Sequence, residues 1–227
     1  MKSIKILVGA FLFGGVPLIS NCQEHVYDWS YTIGGTNNDE PQCLAIDPSG
    51  NVIAAGHFGG TVDFDAGTGT NNLSSNGAND MFVFKTDANG AHSWAVSFGD
   101  TGNDDIKGIA TDASGNVFVS GNFQGTVDFD PGAGVFNLSS AGSNDIFVLK
   151  LDPNGNFVWA AQFGSTLDDI STSLDVDLNG DVYSTGYFRG TVDFDPGLGV
   201  NNLSSNGDAD IFITKLDNNG SLVWANS

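Results

Sequence analysis

Residues 108–163 read GIATDASGNVFVSGNFQGTVDFDPGAGVFNLSSAGSNDIFVLKLDPNGNFVWAAQF, and the way this stretch alternates and breaks decides the fold. Gly108–Asp112 and Asn116–Phe123 are short alternating runs separated by Ala113-Ser114-Gly115, the punctuation of a tight hairpin. Asp145–Asp152 and Asn156–Phe163 form a second pair across Pro153-Asn154-Gly155. Gly125–Asn144, between the pairs, reads as a long loop with room for one extra short strand. The stretch therefore predicts four antiparallel strands.

The same pattern is written three times. Trp29, Trp94, Trp159 and Trp224 are each 65 residues apart. GTVDFD recurs from Gly60, Gly125 and Gly190, and NLSS from Asn72, Asn137 and Asn202, at that same period. Units 29–93, 94–158 and 159–223 align without a gap, with 28 of 65 columns identical in all three, and 224–227 starts a fourth copy. A four-stranded unit repeating at this length predicts an all-β β-propeller, in which each sheet buries its faces against neighbouring blades. Solenoid units, usually of about 20 to 30 residues with one or two strands, fit less well. Composition agrees: Gly is 31 of 227 residues and only 15% are charged, which suits short strands and tight turns and not long helices.

The run GIATDASGNVFVSGNF, followed after a loop by SNDIFVLKLDPNGNFVWAAQFGST and an Asp pair, resembles the bacterial SBBP-type β-propeller repeat, whose pattern is a GIAVDSSGNVYVTG-like hairpin and a later DAFVAKLDPSG-W-like segment. The resemblance covers essentially all of 26–227. It implies a propeller of an exported or surface protein and brings no catalytic residue with it. Asp175 departs from Ala45 and Ala110, and Ala66 from Pro131 and Pro196.

The N-terminus predicts export. Lys2 and Lys5 precede a nearly unbroken apolar run, Ile6–Ile19, and Ser20-Asn21-Cys22 supplies small residues at cleavage-site spacing, so 1–22 reads as a signal peptide. A run of about 14 residues is too short to span a bilayer, which takes about 20 residues of helix. Lipidation of Cys22 is the alternative, although Asn21 stands where such signals prefer Gly, Ala or Ser. Without the leader, Cys43 has no disulfide partner and is expected as a small core residue.

Charge excludes some partners. Lys plus Arg number 7 against 27 Asp plus Glu, a net −20, and loss of the leader makes it −22. Nucleic acid and anionic lipid need a basic face that this chain lacks.

The phase of the repeat sets the blade count. A Trp-bearing strand, His25–Gly34, comes first without the other three strands of its blade, followed by blades over about 42–99, 107–164 and 172–227. Propellers close with about 4 to 8 blades, so three leave an open arc. The sequence reads as the front of a longer propeller, or alternatively as a chain that assembles with a second copy into a six-bladed ring.

The candidate chemistry is acidic. Asp175-x-Asp177-x-Asn179-Gly180-Asp181 resembles half a calcium loop, but Gly186 stands where the twelfth-position acid belongs and the other units keep only Asp47 and Asp112. Better candidates recur in every unit: Asp63 and Asp65, Asp128 and Asp130, Asp193 and Asp195, with Asp80, Asp145 and Asp210 before the third strand. Carboxylates in such turns hold calcium or accept backbone N–H groups as turn caps, and both readings stand. The histidines His25, His57 and His92 occupy varying columns, and no Ser-His-Asp set or HExxH is present. The pairs Asp104-Asp105 and Asp168-Asp169 could in principle act as acid and base, a role defined by carboxylate separation across a cleft, but they read as solvated loop ends. Phe58, Phe123 and Phe188, with Phe82, Phe147 and Phe212, read as core.

These observations predict a non-enzymatic module, secreted or at the cell surface, that binds a protein or glycan or serves as a scaffold. The varying loop residues Thr68, Ala133 and Leu198 are the expected contacts. The alternative is the N-terminal part of a propeller enzyme whose site lies in the channel of the complete ring.

Overall fold

The computed structural model describes residues 29–227, so the expected leader over 1–22, Cys22 and the start of the Trp-bearing segment lie outside the described residues. No helix occurs among the described residues. The first blade holds β1 (Asp39–Ile46), β2 (Val52–Phe58), β3 (Thr61–Asp63), β4 (Asn72–Ser74), β5 (Asp80–Thr86) and β6 (His92–Phe98). The second repeats it with β7 (Asp105–Thr111), β8 (Val117–Phe123), β9 (Thr126–Asp128), β10 (Asn137–Ser139), β11 (Asp145–Leu151) and β12 (Phe157–Phe163). The third has β13 (Ile170–Val176), β14 (Val182–Asp193), β15 (Asn202–Leu216) and β16 (Leu222–Asn226).

Each blade is a four-stranded antiparallel sheet in the order first, second, third, fourth main strand, with β1-β2-β5-β6 as the first example. β7 packs against both β1 and β13, so the first strands face one another on the inside of an open arc. The predicted strand bounds hold to within three residues. Two differences have local causes. GTVDFD and NLSS do not form one short strand in a loop: they pair with each other as a small hairpin, β3 with β4 and β9 with β10. In the third blade that hairpin fuses with the main strands into β14 and β15, continuous but for a bulge between Arg189 and Thr191. Gly77 and Gly142 explain the difference. A Cβ on them would meet Thr101 or Thr166 of the following connector at 2.5 or 2.4 Å, whereas Gly207 has nothing within 4 Å and its segment is free to run straight. The second difference is that Trp29–Gly34 is not assigned as a strand, because no third strand lies beside it among the described residues.

The core is built from the repeated aromatics. Phe58, Phe123 and Phe188 are fully buried. Each meets the Phe of its own GTVDFD block edge-on, Phe64, Phe129 or Phe194, at 5.5, 5.4 and 5.4 Å between ring centroids. Those rings in turn contact Phe82, Phe147 and Phe212 at 5.0, 5.0 and 5.2 Å. The small hairpin is therefore stapled to its sheet by a three-ring cluster, the geometry that aromatic quadrupoles favour. Gly56, Gly121 and Gly186 are required by a bulge in the first strand. A Cβ there would lie 2.1, 2.0 or 1.9 Å from the carbonyl oxygen of Glu40, Asp105 or Ile170. Cys43 packs against the core with a free thiol, which burial pushes up to about 12, so it is no nucleophile at neutral pH.

Candidate functional site

Three of the four invariant tryptophans, Trp29, Trp94 and Trp159, dock on a turn of the blade that follows them. Each turn joining the third and fourth strands, Asp87–Gly90, Asp152–Gly155 and Asp217–Gly220, is folded by its aspartate. Asp152 Oδ1, for example, accepts the N–H groups of Asn154 and Asn156 at 2.8 and 2.9 Å. The turn ends on a left-handed glycine, with φ of 84°, 83° and 83° at Gly90, Gly155 and Gly220. An indole from the preceding segment lies flat against that glycine, and a Cβ there would be 2.6, 2.9 and 2.9 Å from the rings of Trp29, Trp94 and Trp159. The three indole N–H groups donate to the turn carbonyls of Ala88, Pro153 and Asn218, at 3.2, 3.1 and 3.1 Å.

A lysine completes the junction. Lys85 Nζ donates to the same Pro153 carbonyl at 3.2 Å, and Lys150 Nζ to that of Asn218 at 3.2 Å and to its side-chain Oδ1. Lys85 also pairs with Asp47 of its own blade at 2.8 Å, both side chains being buried. Burial pushes the Asp47 carboxyl up, but Lys85, Asn51 and backbone N–H groups outweigh it and hold the group at about 2. Burial lowers the Lys150 ammonium, with Asp112 acting the other way.

The third blade ends differently. Trp224 Nε1 has no acceptor among the described residues; its ring meets Tyr183 edge-on at 6.2 Å. Lys215 bonds within its own blade instead, to Asp181 at 2.8 Å and Asp177 at 3.5 Å, and Asp181 stands where the other units carry Asn51 and Asn116. The Asp181 hydrogen bond holds the Lys215 ammonium above its ordinary value.

A second set of recurring carboxylates ties the connectors. Asp39, Asp104 and Asp169 accept the N–H of Gly35, Asp100 and Ser165 at 2.6, 3.0 and 2.6 Å. Asp104 and Asp169 also accept those of Gln124 and Arg189, at 3.1 and 2.8 Å. Asp80 and Asp145 accept Asn76 N and Ala141 N at 3.0 and 2.9 Å, and each keeps one buried oxygen without a partner. Burial pushes Asp80, Asp104 and Asp145 up to about 6. The expectation of solvated loop ends fails for one acid of each pair: Asp104 and Asp169 are fully buried because they accept the connector N–H groups, whereas Asp105 faces Lys107 and His57 and Asp168 bonds Asn144, so neither pair is joined as acid and base.

The six turn aspartates proposed as calcium ligands lie at the small hairpins. Asp63, Asp128 and Asp193 each accept two N–H groups across the hairpin loop, from Asp65 and Asn71, Asp130 and Phe136, and Asp195 and Asn201, at 2.7–3.0 Å. Asp65, Asp130 and Asp195 accept Gly67, Gly132 and Gly197 N at 2.8 Å. Among the described residues no group of three or more His, Cys, Asp or Glu side chains converges in a way that could hold a metal ion. The tips that these caps shape are exposed at Thr68, Ala133 and Leu198, with Val135 and Val200 exposed beside them. Sequence reasoning found the tryptophans but not their partners, which lie 59 residues downstream; the signal available was the invariant glycine of the Asp-x-Asn-Gly turn.

Interlocking four-stranded blades whose first strands line the inside of an arc define a β-propeller-type repeat protein. The β-propeller repeat family SBBP matches residues 158–187, a span whose columns recur in the other two units, and the chain is an SBBP-type repeat protein. It is also 25% identical over 227 aligned residues to an uncharacterized WD repeat-containing protein of Acanthamoeba polyphaga mimivirus, a match covering 86% of this chain and 16% of that protein.

Proposed function

We propose that the chain is an exported, non-enzymatic interaction module whose hairpin tips bind a protein or glycan partner. One observation carries this reading. The repeated polar side chains are spent on the molecule itself, as turn caps, connector ties and junction donors, while the residues that vary between units stand in solvent at the tips. Leu198 is fully exposed, and Val135 and Val200 are largely so, a placement that costs solubility unless a partner covers it. The likeness to a WD repeat-containing protein supports a scaffold or interaction role, since propeller repeats present loops from a rigid frame. Export rests on the basic start and apolar run of residues 1–22.

Two measurements test the proposal. Mass spectrometry of the protein recovered from a secreting host is expected to show Gln23 first; a retained Met1 would refute export. Immobilised protein is screened against a glycan array and a panel of extracellular proteins, in parallel with a variant carrying Leu198→Ser, Val200→Ser and Val135→Ser. Binding lost in the variant supports the tips; undiminished binding, or none to either panel, contradicts them.

A further inference from the structure

Among the described residues, the leading face of the first blade and the trailing face of the third carry exposed apolar side chains, and the two sets match. On the trailing face of the third blade, Ile211 is 68% exposed and Ile213 47%, yet the same columns in the other units, Met81 and Val83, Ile146 and Val148, are fully buried against the next blade. On the leading face of the first blade, Leu44 is 62% exposed beside a cavity of about 400 Å³ lined by Ile33, Val62, Phe64, Phe82 and Phe84. Inside the chain, that is the kind of surface against which the trailing residues pack. Met81 and Val83 sit in one core cluster with Val127, Phe129, Phe147 and Leu149, which occupy the columns of Val62, Phe64, Phe82 and Phe84.

One element covers part of the leading face. Trp29 lies on Gly90 and donates to the Ala88 carbonyl, its ring stacked on Tyr31 at 5.3 Å, and Ile33 fills the column that Phe98 and Phe163 hold at the internal junctions. Trp29 thus takes the place that a docking Trp224 would need, and the two cannot share one turn. Lys215 does not oppose such docking, because Asp181 and Asp177 already neutralise it.

We propose that the trailing face of one copy docks on the leading face of a second copy of this chain, and that the Trp29–Ile33 segment is a displaceable plug over that site. Continuity points to a second copy: the same blade-to-blade interface is made twice within each chain, and head-to-tail docking repeats it between chains. The proposal is independent of the hairpin-tip reading.

The test is sedimentation velocity of the purified protein over a concentration series, with far-UV circular dichroism to confirm folding. Removing the plug by Trp29→Ala is expected to lower the concentration of half-dimerisation about tenfold or more, because the apparent affinity of a site rises with the fraction of molecules in which it is open. Ile33→Ser is the milder unplugging variant, used if Trp29→Ala does not fold. Adding Leu44→Asp or Ile211→Asp, both at exposed positions, is expected to return the unplugged protein to monomer. Mixing those two variants restores one intact junction and is expected to give a heterodimer. A protein that stays monomeric with the plug removed overturns the proposal, as does a dimer that survives Leu44→Asp or Ile211→Asp.

Discussion

Trp159→Ala and Trp224→Ala make the same substitution in the same column of the repeat, and the structure assigns them different costs. Trp159 is partly buried against Gly220, edge-on to Phe118 at 6.3 Å, and bonded to the Asn218 carbonyl at 3.1 Å. Truncating a fully buried Trp costs about 3–5 kcal/mol, so a half-buried ring loses about 2. The indole hydrogen bond adds about 1 kcal/mol, giving about 3 in all. For a chain of this size each kcal/mol shifts Tm by roughly 2–4 °C, so Trp159→Ala is expected to melt about 6–12 °C lower. Trp224 has no such acceptor and touches only its own blade, so its loss is expected to cost about 1 kcal/mol. Trp159→Phe keeps a smaller aromatic ring and drops the donor, so its loss, expected at about 1–2 kcal/mol, sets an upper bound on the hydrogen-bond share. Differential scanning calorimetry at one pH and concentration measures all three. Equal losses for Trp159→Ala and Trp224→Ala would refute the reasoning, because they would make the residue's own burial, and not the junction, the source of stability.

Three further outcomes are expected. Gly155→Ala places a methyl against Trp94 at a φ of 83°, so it adds a clash to backbone strain and should cost at least about 3 kcal/mol in chemical unfolding, whereas Gly207→Ala, at a φ of 112° but with open space around it, carries backbone strain alone and should cost about 1–2. Stability should peak near pH 5: Asp80, Asp104 and Asp145 titrate at about 6 when folded, so unfolding free energy rises as pH falls from about 7 toward 4, while Asp47, held at about 2, and the other caps lose their contribution below about 4. A melting temperature that falls steadily from pH 7 to pH 5 would contradict those burials. Excess EDTA should leave Tm within about 1 °C if the hairpin aspartates serve as turn caps, and a drop of several degrees would instead support bound calcium.

The main strands were legible because alternation and glycine turns are local signals, and Asn116–Phe123 already showed both. The small hairpin was not: GTVDFD and NLSS contribute three paired residues each, too few for periodicity to register, and their pairing rests on Phe64, Phe129 and Phe194 reaching back to the sheet. The tryptophan period disclosed the repeat, but the acceptors of Trp94 and Trp159 lie in the next blade, and no local pattern points across that distance. The turn aspartates were recognised as either caps or ligands, since one Asp-x-Asp spacing serves both chemistries. Only the backbone N–H groups aimed at Asp63, Asp128 and Asp193 show what those oxygens do in the fold.

Three blades are held together face to face, with the middle one covered on both sides. Amide hydrogen exchange at concentrations where the protein is monomeric tests this directly. Main-strand amides of β8 and β11, whose side chains are almost all fully buried, should exchange at least about tenfold more slowly than those of β15, whose outer residues Ile211 and Ile213 face solvent. Protection of β15 equal to or greater than that of β11 would contradict the arc.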